Sequence, residues 1–520
     1  MPELHRFHGG LRLEGHKSES LRHGLQQASL PPRLYLPLRQ HIGEQNNPLV
    51  EVGDRVLKGQ MIAANSSLIC ASVHAPTSGR VESIGSYPVA HPSGQADTCI
   101  VIEVDGRDEA AETKLPDLEQ LDADGMIELI CRAGIVGLGG AVFPTSPKLS
   151  RGKAHGIDTL IINGVECEPY ITCDDMLMRH DAAEVIRGTG YLQRILRPKK
   201  TLIGIEDNKP EAIAAMSAAL AEADDIDAEI VSIPTIYPSG GEKQLIQILT
   251  GREVPHGQLA FDIGLYCQNV GTCVAITRAL ERGEPLISRI VTVSGDNIRS
   301  PGNWEVRLGT PISHLIGLAG GYVDDDNAHL IMGGPMMGFS LRGGEVPIVK
   351  ASNCILAMRE QTIPQAVGYH DECIRCGKCT EVCPANLLPQ QLYWHTRAKA
   401  WERAQEFHLS DCIECGCCSS VCPSGIPLVQ YYRAAKSEIR AAHSARLKSD
   451  RARIRFEFRE RRLQLKKQQE EERRRQKREA LQKKRASTGD DETAPAAPDP
   501  VQAALERVKA RKQAAQEESP

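Results

Sequence analysis

Two runs of cysteine set the chemistry. Cys373, Cys376, Cys379 and Cys383 are followed by Pro384, and Cys412, Cys415, Cys418 and Cys422 by Pro423, each run spaced Cys-x-x-Cys-x-x-Cys-x-x-x-Cys-Pro. A [4Fe-4S] cubane needs four soft thiolates at tetrahedral corners; three close cysteines wrap one face and the fourth comes from a distance. Where two such runs occur together, the last cysteine of each crosses to the other cluster. The expected ligand sets are therefore Cys373, Cys376, Cys379 and Cys422 for one cluster, and Cys383, Cys412, Cys415 and Cys418 for the second. Cys-x-x-Cys pairs also suit a zinc site of four thiolates; the repeat of a four-cysteine run, with proline after each last cysteine, favours clusters. Cys417 fits neither register and reads as a small packed thiol.

A second constellation lies upstream. Gly134, Gly137, Gly139 and Gly140 stand in AGIVGLGGAVFPTSPK, where backbone amides can approach phosphate oxygens closely and Lys148 adds a cation. A glycine-rich turn made only to reverse the chain would look the same. Three more segments add polar groups: IINGVECEPYITCDD with Asn163, Glu166, Glu168 and Asp174, YPSGGEKQL with Tyr237, Gly240, Gly241 and Glu242, and CQNVGTCVAI with Asn269 and Thr272. The first directly follows an apolar run, where ligand-binding loops of open α/β sheets emerge.

These residues need elements to position them. Residues 30–105 hold short β-like runs punctuated by turn signals. From about residue 122 the pattern becomes α/β: a helix over 122–132, apolar runs at 159–162, 201–205 and 229–233, and a helix over 242–249, which together imply a mostly parallel sheet. Residues 287–350 return to β-like runs with turns, as a small module. After about residue 440 the chain is highly charged, with Glu457/Arg461 and Glu471/Arg475 at helical spacing; residues 446–485 carry 18 Lys and Arg against seven Asp and Glu. Ser487 to Pro500 is acidic and rich in Pro and Ala, the composition of a disordered segment, and Val501 to Ala515 is a last helical candidate.

The 520 residues suffice for several domains, and aromatic residues make up only 4%, so cores rest on Ile, Leu, Val and Ala. Seventeen cysteines, eight of them scattered singly away from the paired runs, suggest a reducing compartment. The start, MPELHRFHGG, lacks the apolar core of a secretory signal, and no uncharged apolar run approaches the roughly 20 residues that cross a bilayer. The expectation is a soluble or peripheral chain. No motif accompanies the basic tail that would point to nucleic acid; a solvated helix, a contact with a sister subunit, and a membrane-surface role stay open for it.

The cysteine runs have the ligand pattern of a bacterial-type two-cluster ferredoxin. GDRVLKGQMIA followed by VHAPTSGRVESIG resembles the barrel-sandwich hybrid of lipoyl and biotinyl domains, with Leu68 where those carriers present a lysine. GxxGxGGAxFPTxxK, NxxExEP, YxxGxE and NVxT, in that order, resemble the FMN- and NADH-binding subunit of respiratory complex I, and VTVSGDNIRSPGNWEV ending in IMGGPMMG is similar to the β-grasp module that follows there. Two departures stand out: Ile135, Val136 and Leu138 replace arginines of the complex I loop, and Gly241 replaces one of its paired acids. The combination, over nearly all of residues 1–440, resembles the C component of the Rnf (Rsx) electron-transport complex.

The resemblance implies a multidomain α/β chain: a degenerate lipoyl-like domain over 1–115, a Rossmann-like FMN/NADH domain over 116–285, a β-grasp module over 286–352, a two-cluster domain over 353–440 and a charged tail over 441–520. It implies an FMN pocket of Gly137, Gly139, Gly140, Lys148, Asn163, Glu166, Tyr237, Gly240, Glu242, Asn269 and Thr272, with the glycines and Lys148 on the phosphate and Asn163 and Glu242 nearer the ring or ribityl chain. It further implies NADH as hydride donor, two [4Fe-4S] clusters, and sister membrane subunits, one ferredoxin-like, on the cytoplasmic face of a bacterial inner membrane where the complex moves Na+ or H+. A soluble diaphorase-like dehydrogenase and an electron relay without nucleotide binding are the alternative readings.

Overall fold

The computed structural model describes residues 3–113, 115–325, 327–359, 371–487 and 500–517. Residues 1–438 form one compact unit and 439–520 a second. In the first unit a barrel-sandwich of two antiparallel sheets comes first, one built on Arg33–Pro37, Gly79–Pro88, Ala96–Val104 and Arg55–Val56, the other on Met61–Ala64 flanked by Asn47–Pro48 and Val73–His74. Alternation along these strands buries Leu34, Leu36, Ile62, Val81, Ile100 and Ile102; Leu68, in the loop between Met61–Ala64 and Val73–His74, is 81% exposed.

The α/β domain centres on four parallel strands, β1 (Thr159–Gly164), β2 (Lys200–Glu206), β3 (Glu229–Ile233) and β4 (Leu265–Asn269), in spatial order β3-β2-β1-β4. Helices cover the sheet, which is why β1 and β2 read as near-continuous apolar runs. The helices are α1 (Ala123–Arg132), α2 (Thr145–His155), α3 (Cys173–His180), α4 (Ala182–Leu196), α5 (Pro210–Ala221), α6 (Glu242–Thr250) and α7 (Val270–Arg282). The carboxylate of Asp122 accepts from the Gly125 amide and starts α1. The strand order reverses between β1 and β4. Ligands of open α/β sheets bind beyond the carboxyl ends of strands at such a point.

The β-grasp module follows: β5 (Ser288–Ser294) and β6 (Gly302–Arg307) form a hairpin, α8 (Ile312–Leu318) crosses, and β7 (Ala328–Met332) and β8 (Phe339–Ser340) precede β9 (Cys354–Arg359). Strand β9 lies between β5, to which it is parallel, and β7, to which it is antiparallel. The module's central strand therefore lies beyond the boundary expected at residue 352, in residues that the expected division placed in the cluster domain. Gln26–Gln27 adds an edge strand beside β6.

Residues 5–17 are not part of the barrel. They run as a strap: His5 N donates to Ile248 O (3.0 Å), Gly10 N to Val382 O (3.1 Å), and Leu11 exchanges backbone bonds with Tyr237. Two cysteine-bearing segments with short helices then lead into the long helix Leu428–Ser487, whose first turns bury Tyr432 and Ala435 in the first unit. In the second unit that helix is charged all round, with Ile454, Phe456 and Phe458 at least 60% exposed. Its ion pairs among the described residues are Asp450–Arg453, Arg453–Glu457 and Arg475–Glu479 rather than the pairs expected from spacing. A last helix spans Pro500–Glu517; the expected disorder of Ser487–Pro500 falls mainly on 488–499, outside the described residues. Among the described residues no helix is long and apolar enough to cross a membrane.

Candidate functional site

Asn163 and Asn269 are register partners at the carboxyl ends of β1 and β4, so the two asparagines stand side by side at the switch point. Three loops close on them. The glycine-rich segment forms a tight hairpin, with Val136 bridged to Pro144 and the Gly137 amide donating to Phe143 O (2.9 Å). The Leu138 amide donates to Thr272 Oγ1 (2.9 Å), which ties the hairpin to the first turn of α7. Its tip, Gly139, Gly140 and Ala141, is exposed, and among the described residues none accepts a hydrogen bond from those three amides. Gly140 has φ +105° with open space where a Cβ would stand, a conformation that favours glycine.

The loop after β1 is held from both sides. Asn163 Nδ2 donates to Gly240 O (2.9 Å), drawing in the segment before α6. The Glu166 carboxylate accepts from the amides of Asp174 (2.6 Å) and Asp175 (3.1 Å), at the start of α3. Asp174 in turn accepts from Asn269 Nδ2 (2.7 Å); burial, and then the Glu166 charge, push its carboxyl up to about 7. From beneath, Lys17 of the strap donates to the carbonyls of Glu166 (2.8 Å), Glu168 (3.1 Å) and Ile171 (2.5 Å). Glu168 reaches the β-grasp module, accepting from the amides of Met336 (2.7 Å) and Met337 (2.9 Å), and burial raises its pKa. A Cβ on Gly334 would lie 2.0 Å from Glu168 Cγ, so that approach requires glycine.

Lys148, Glu242, Thr272 and Tyr237, all expected in the flavin pocket, bond to other parts of the chain. Lys148 donates to Glu242 Oε2 (3.1 Å) and to Cys267 O (2.7 Å), with its ammonium 5.0 Å from the Tyr266 ring centre. Lys148, expected on the flavin phosphate, and Glu242, expected nearer the ring or ribityl chain, are thus ion-paired with each other. Thr272 is fully buried and serves the hairpin. Tyr237 turns away from the glycine loop: it is 2% exposed, and its hydroxyl donates to Cys415 O (2.6 Å). Nothing in the sequence signals Lys17, a lone lysine in a polar stretch, or the pairing of Glu168 with the Met336–Met337 turn. A cavity of about 570 Å³ borders the site at Leu138, Asp174 and Gly271; its lining also includes Lys58, Arg278, Arg289 and Arg307.

The cysteines line two separate small cavities. Cys373, Cys376, Cys379 and Cys422 line one, with Gln390, Tyr393 and Ile426. Cys383, Cys412, Cys415 and Cys418 line the other, with Leu387, Leu392, Ile413, Val429 and Tyr432. The second, inner set is tied to the α/β domain by Tyr237 and by Gln244 Nε2, which donates to Pro384 O (3.4 Å), and to the strap by His8, whose ring nitrogen bonds Cys383 O (2.9 Å). Lys436 donates to Cys412 O, and both Lys436 and Arg433 pair with Glu414. Around the first, outer set Cys376 is exposed and Ile374 is 67% exposed. Cys417 lies outside both cavities, fully buried against Tyr237.

Comparison with known proteins matches four segments. Residues 5–107 match the RnfC barrel sandwich hybrid domain, 130–278 the Nuo51 FMN-binding domain, 290–340 the SLBB domain and 372–426 the 4Fe-4S dicluster domain. The C component of the ion-translocating oxidoreductase complex of Pectobacterium atrosepticum is 48% identical over 513 residues, covering 98% of this chain and 71% of that protein. The chain belongs to the RnfC family. The family's counterpart in Pseudomonas aeruginosa is 51% identical over 99% of this chain, and that in Pectobacterium carotovorum 48% over 98%. The chain spans 66% of the length of each of these two relatives, slightly under two thirds. Among solved structures, the NAD+-reducing [NiFe]-hydrogenase in the air-oxidized state overlaps 54% of each chain at 20% identity and a TM-score of 0.43.

The residues present fit the groups that RnfC membership implies. Free amides at an exposed glycine tip beside the start of α7 offer what a phosphate monoester needs. Two cavities, each walled by four thiols and apolar side chains, offer what a cubane needs.

Proposed function

We propose that the chain is the electron-input subunit of an ion-translocating oxidoreductase complex, taking electrons from NADH at the switch-point site and passing them to two clusters held by the two cysteine sets. One observation carries the reading. The segment Tyr237–Glu242 touches both centres: Glu242 pairs with Lys148 beside the glycine hairpin, and Tyr237 bonds the backbone of Cys415. Five residue steps reach at most about 18 Å when fully extended, and this segment is folded by the bonds Ser239 N to Ile236 O (2.8 Å) and Gly241 N to Pro238 O (3.0 Å).

In this reading Gly139, Gly140 and Ala141, with the start of α7, take the FMN phosphate, while Lys148, Asn163 and Glu242 stand toward the ring. Gly137 and Thr272 shape the hairpin, Glu166 and Asn269 orient the start of α3, and Gly240 brings the α6 segment in through Asn163. FMN bound there would accept a hydride's two electrons and release them singly, as one-electron clusters require. The inner set, Cys383, Cys412, Cys415 and Cys418, is the entry point because it is the one bonded to the α/β domain. The outer set, Cys373, Cys376, Cys379 and Cys422, has a rim that reaches solvent, which makes it the exit toward the sister subunits. Membrane attachment, in this proposal, comes through sister subunits on the cytoplasmic face.

Analysis of anaerobically reconstituted protein tests it. One FMN and about eight iron atoms per chain, with NADH-dependent ferricyanide reduction, are expected. Two clusters without flavin would reduce the chain to a relay, and zinc in place of iron would defeat the redox reading.

A further inference from the structure

We propose that His256, His408 and Asp411 form a binding site for a divalent cation of the zinc class, tying the α/β domain to the segment that enters the inner cysteine set. One ligand atom from each of the three lies within 4.8 Å of the other two. His256 Nδ1 already contacts Asp411 Oδ2 across 155 residues of sequence, and the His256 and His408 rings meet edge to face with centres 4.7 Å apart. A simple His–Asp ion pair would need only His256 and Asp411. The second imidazole within reach of both is what a cation accounts for.

The donor set fits the chemistry. Two imidazole nitrogens and a carboxylate oxygen suit Zn2+, which takes three protein ligands and leaves a fourth position to water. Tetrahedral ligands at zinc distances stand about 3.3 Å apart, so the widest donor pair must close by up to about 1.5 Å. It can, because the His256 side chain is 56% exposed and free to adjust, while the backbone beneath is fixed. His256 sits in a turn closed by Gln258 N to Pro255 O (3.1 Å). His408 and Asp411 flank the buried Leu409, with Asp411 N donating to His408 O (2.9 Å) and Cys412 N to Leu409 O (3.2 Å). Asp411 directly precedes Cys412, so a bound cation would pin the stretch of chain that delivers Cys412 to the inner set. With an open coordination position at the surface it would exchange with solvent, acting as a reversible latch. Such a latch does not depend on NADH being the electron donor.

The test uses full-length, cluster-loaded protein of verified iron content, stripped of loose metal by a chelator and dialysed against Zn2+. Wild type should retain one zinc more than His256→Ala, His408→Ala or Asp411→Asn at equal iron, and zinc should raise its melting temperature while leaving the variants unmoved. Equal zinc retention and equal melting would overturn the proposal. Should a variant lose iron, diethylpyrocarbonate labelling of wild type decides alone: zinc should protect His256 and His408 at least tenfold relative to magnesium, and labelling indifferent to zinc would contradict the site.

Discussion

The two cysteine runs share a backbone path and differ in their surroundings. Arg375 and Glu414 both adopt left-handed φ, +57° and +59°, and Gly377 and Gly416 share φ +82°. Each is followed by a single helical turn, Lys378–Glu381 or Cys417–Ser420. Yet Gly416 packs so closely on Met336 that a Cβ would lie 2.8 Å from its carbonyl oxygen, while a Cβ on Gly377 would meet nothing among the described residues. The motif sets how a cluster is held. What the rest of the chain packs against each set differs: the inner one touches the α/β and β-grasp domains, and the outer one opens to solvent.

Substitutions around the inner set sharpen this contrast, since each should disturb the inner cluster's EPR signal and leave the outer one unchanged. Gly334→Ala should act most strongly: its Cβ cannot share space with Glu168 Cγ, so the Met336–Met337 turn must move off Gly416, at about 3 kcal/mol. Thermal unfolding and EPR of the loaded protein check it. Lys17→Met should follow, at about 2 kcal/mol, because it leaves three carbonyls of the 166–171 loop without their donor; FMN affinity by fluorescence should fall with it. Tyr237→Phe should cost about 1 kcal/mol and lower the inner cluster's potential alone, because the Cys415 carbonyl loses the donor that offsets its negative end. An outer signal that shifted equally in any of the three would break the contrast.

A separate effect is on pH dependence, read from the slope of stability against pH rather than from a single loss. Asp174 has a carboxyl raised to about 7 by burial and Glu166, so between about pH 4 and 7 the folded chain binds a proton that the unfolded chain has released. Its contribution to stability therefore declines as pH rises through that window and levels off above it. Asp174→Asn, which keeps an acceptor for Asn269, should flatten the melting temperature between pH 5 and 8.

Much of this was legible in the sequence because it is local. Cysteine spacing restricts which sulfurs can share a cubane, and an apolar run followed by Asn163 locates a strand end in a parallel sheet. The contacts that assign roles are long-range. Tyr237 belongs to a motif read as flavin-binding, yet its hydroxyl is bonded to residue 415. Lys17 acts on carbonyls about 150 residues away, and strand β9 completes a sheet begun about 60 residues earlier, so neither leaves a periodic or spacing signal. Lys148 and Glu242 were both expected at the site, but only packing brings their charges together.

The most direct test of the inner-to-outer route is rapid-freeze EPR after mixing with NADH, in chains lacking one set at a time. With Cys376→Ala the inner cluster should be reduced at the wild-type rate. With Cys412→Ala the outer cluster should still form and be reducible by dithionite, but stay oxidised on the NADH timescale. Wild-type reduction of the outer cluster by NADH in the Cys412→Ala chain would contradict the account.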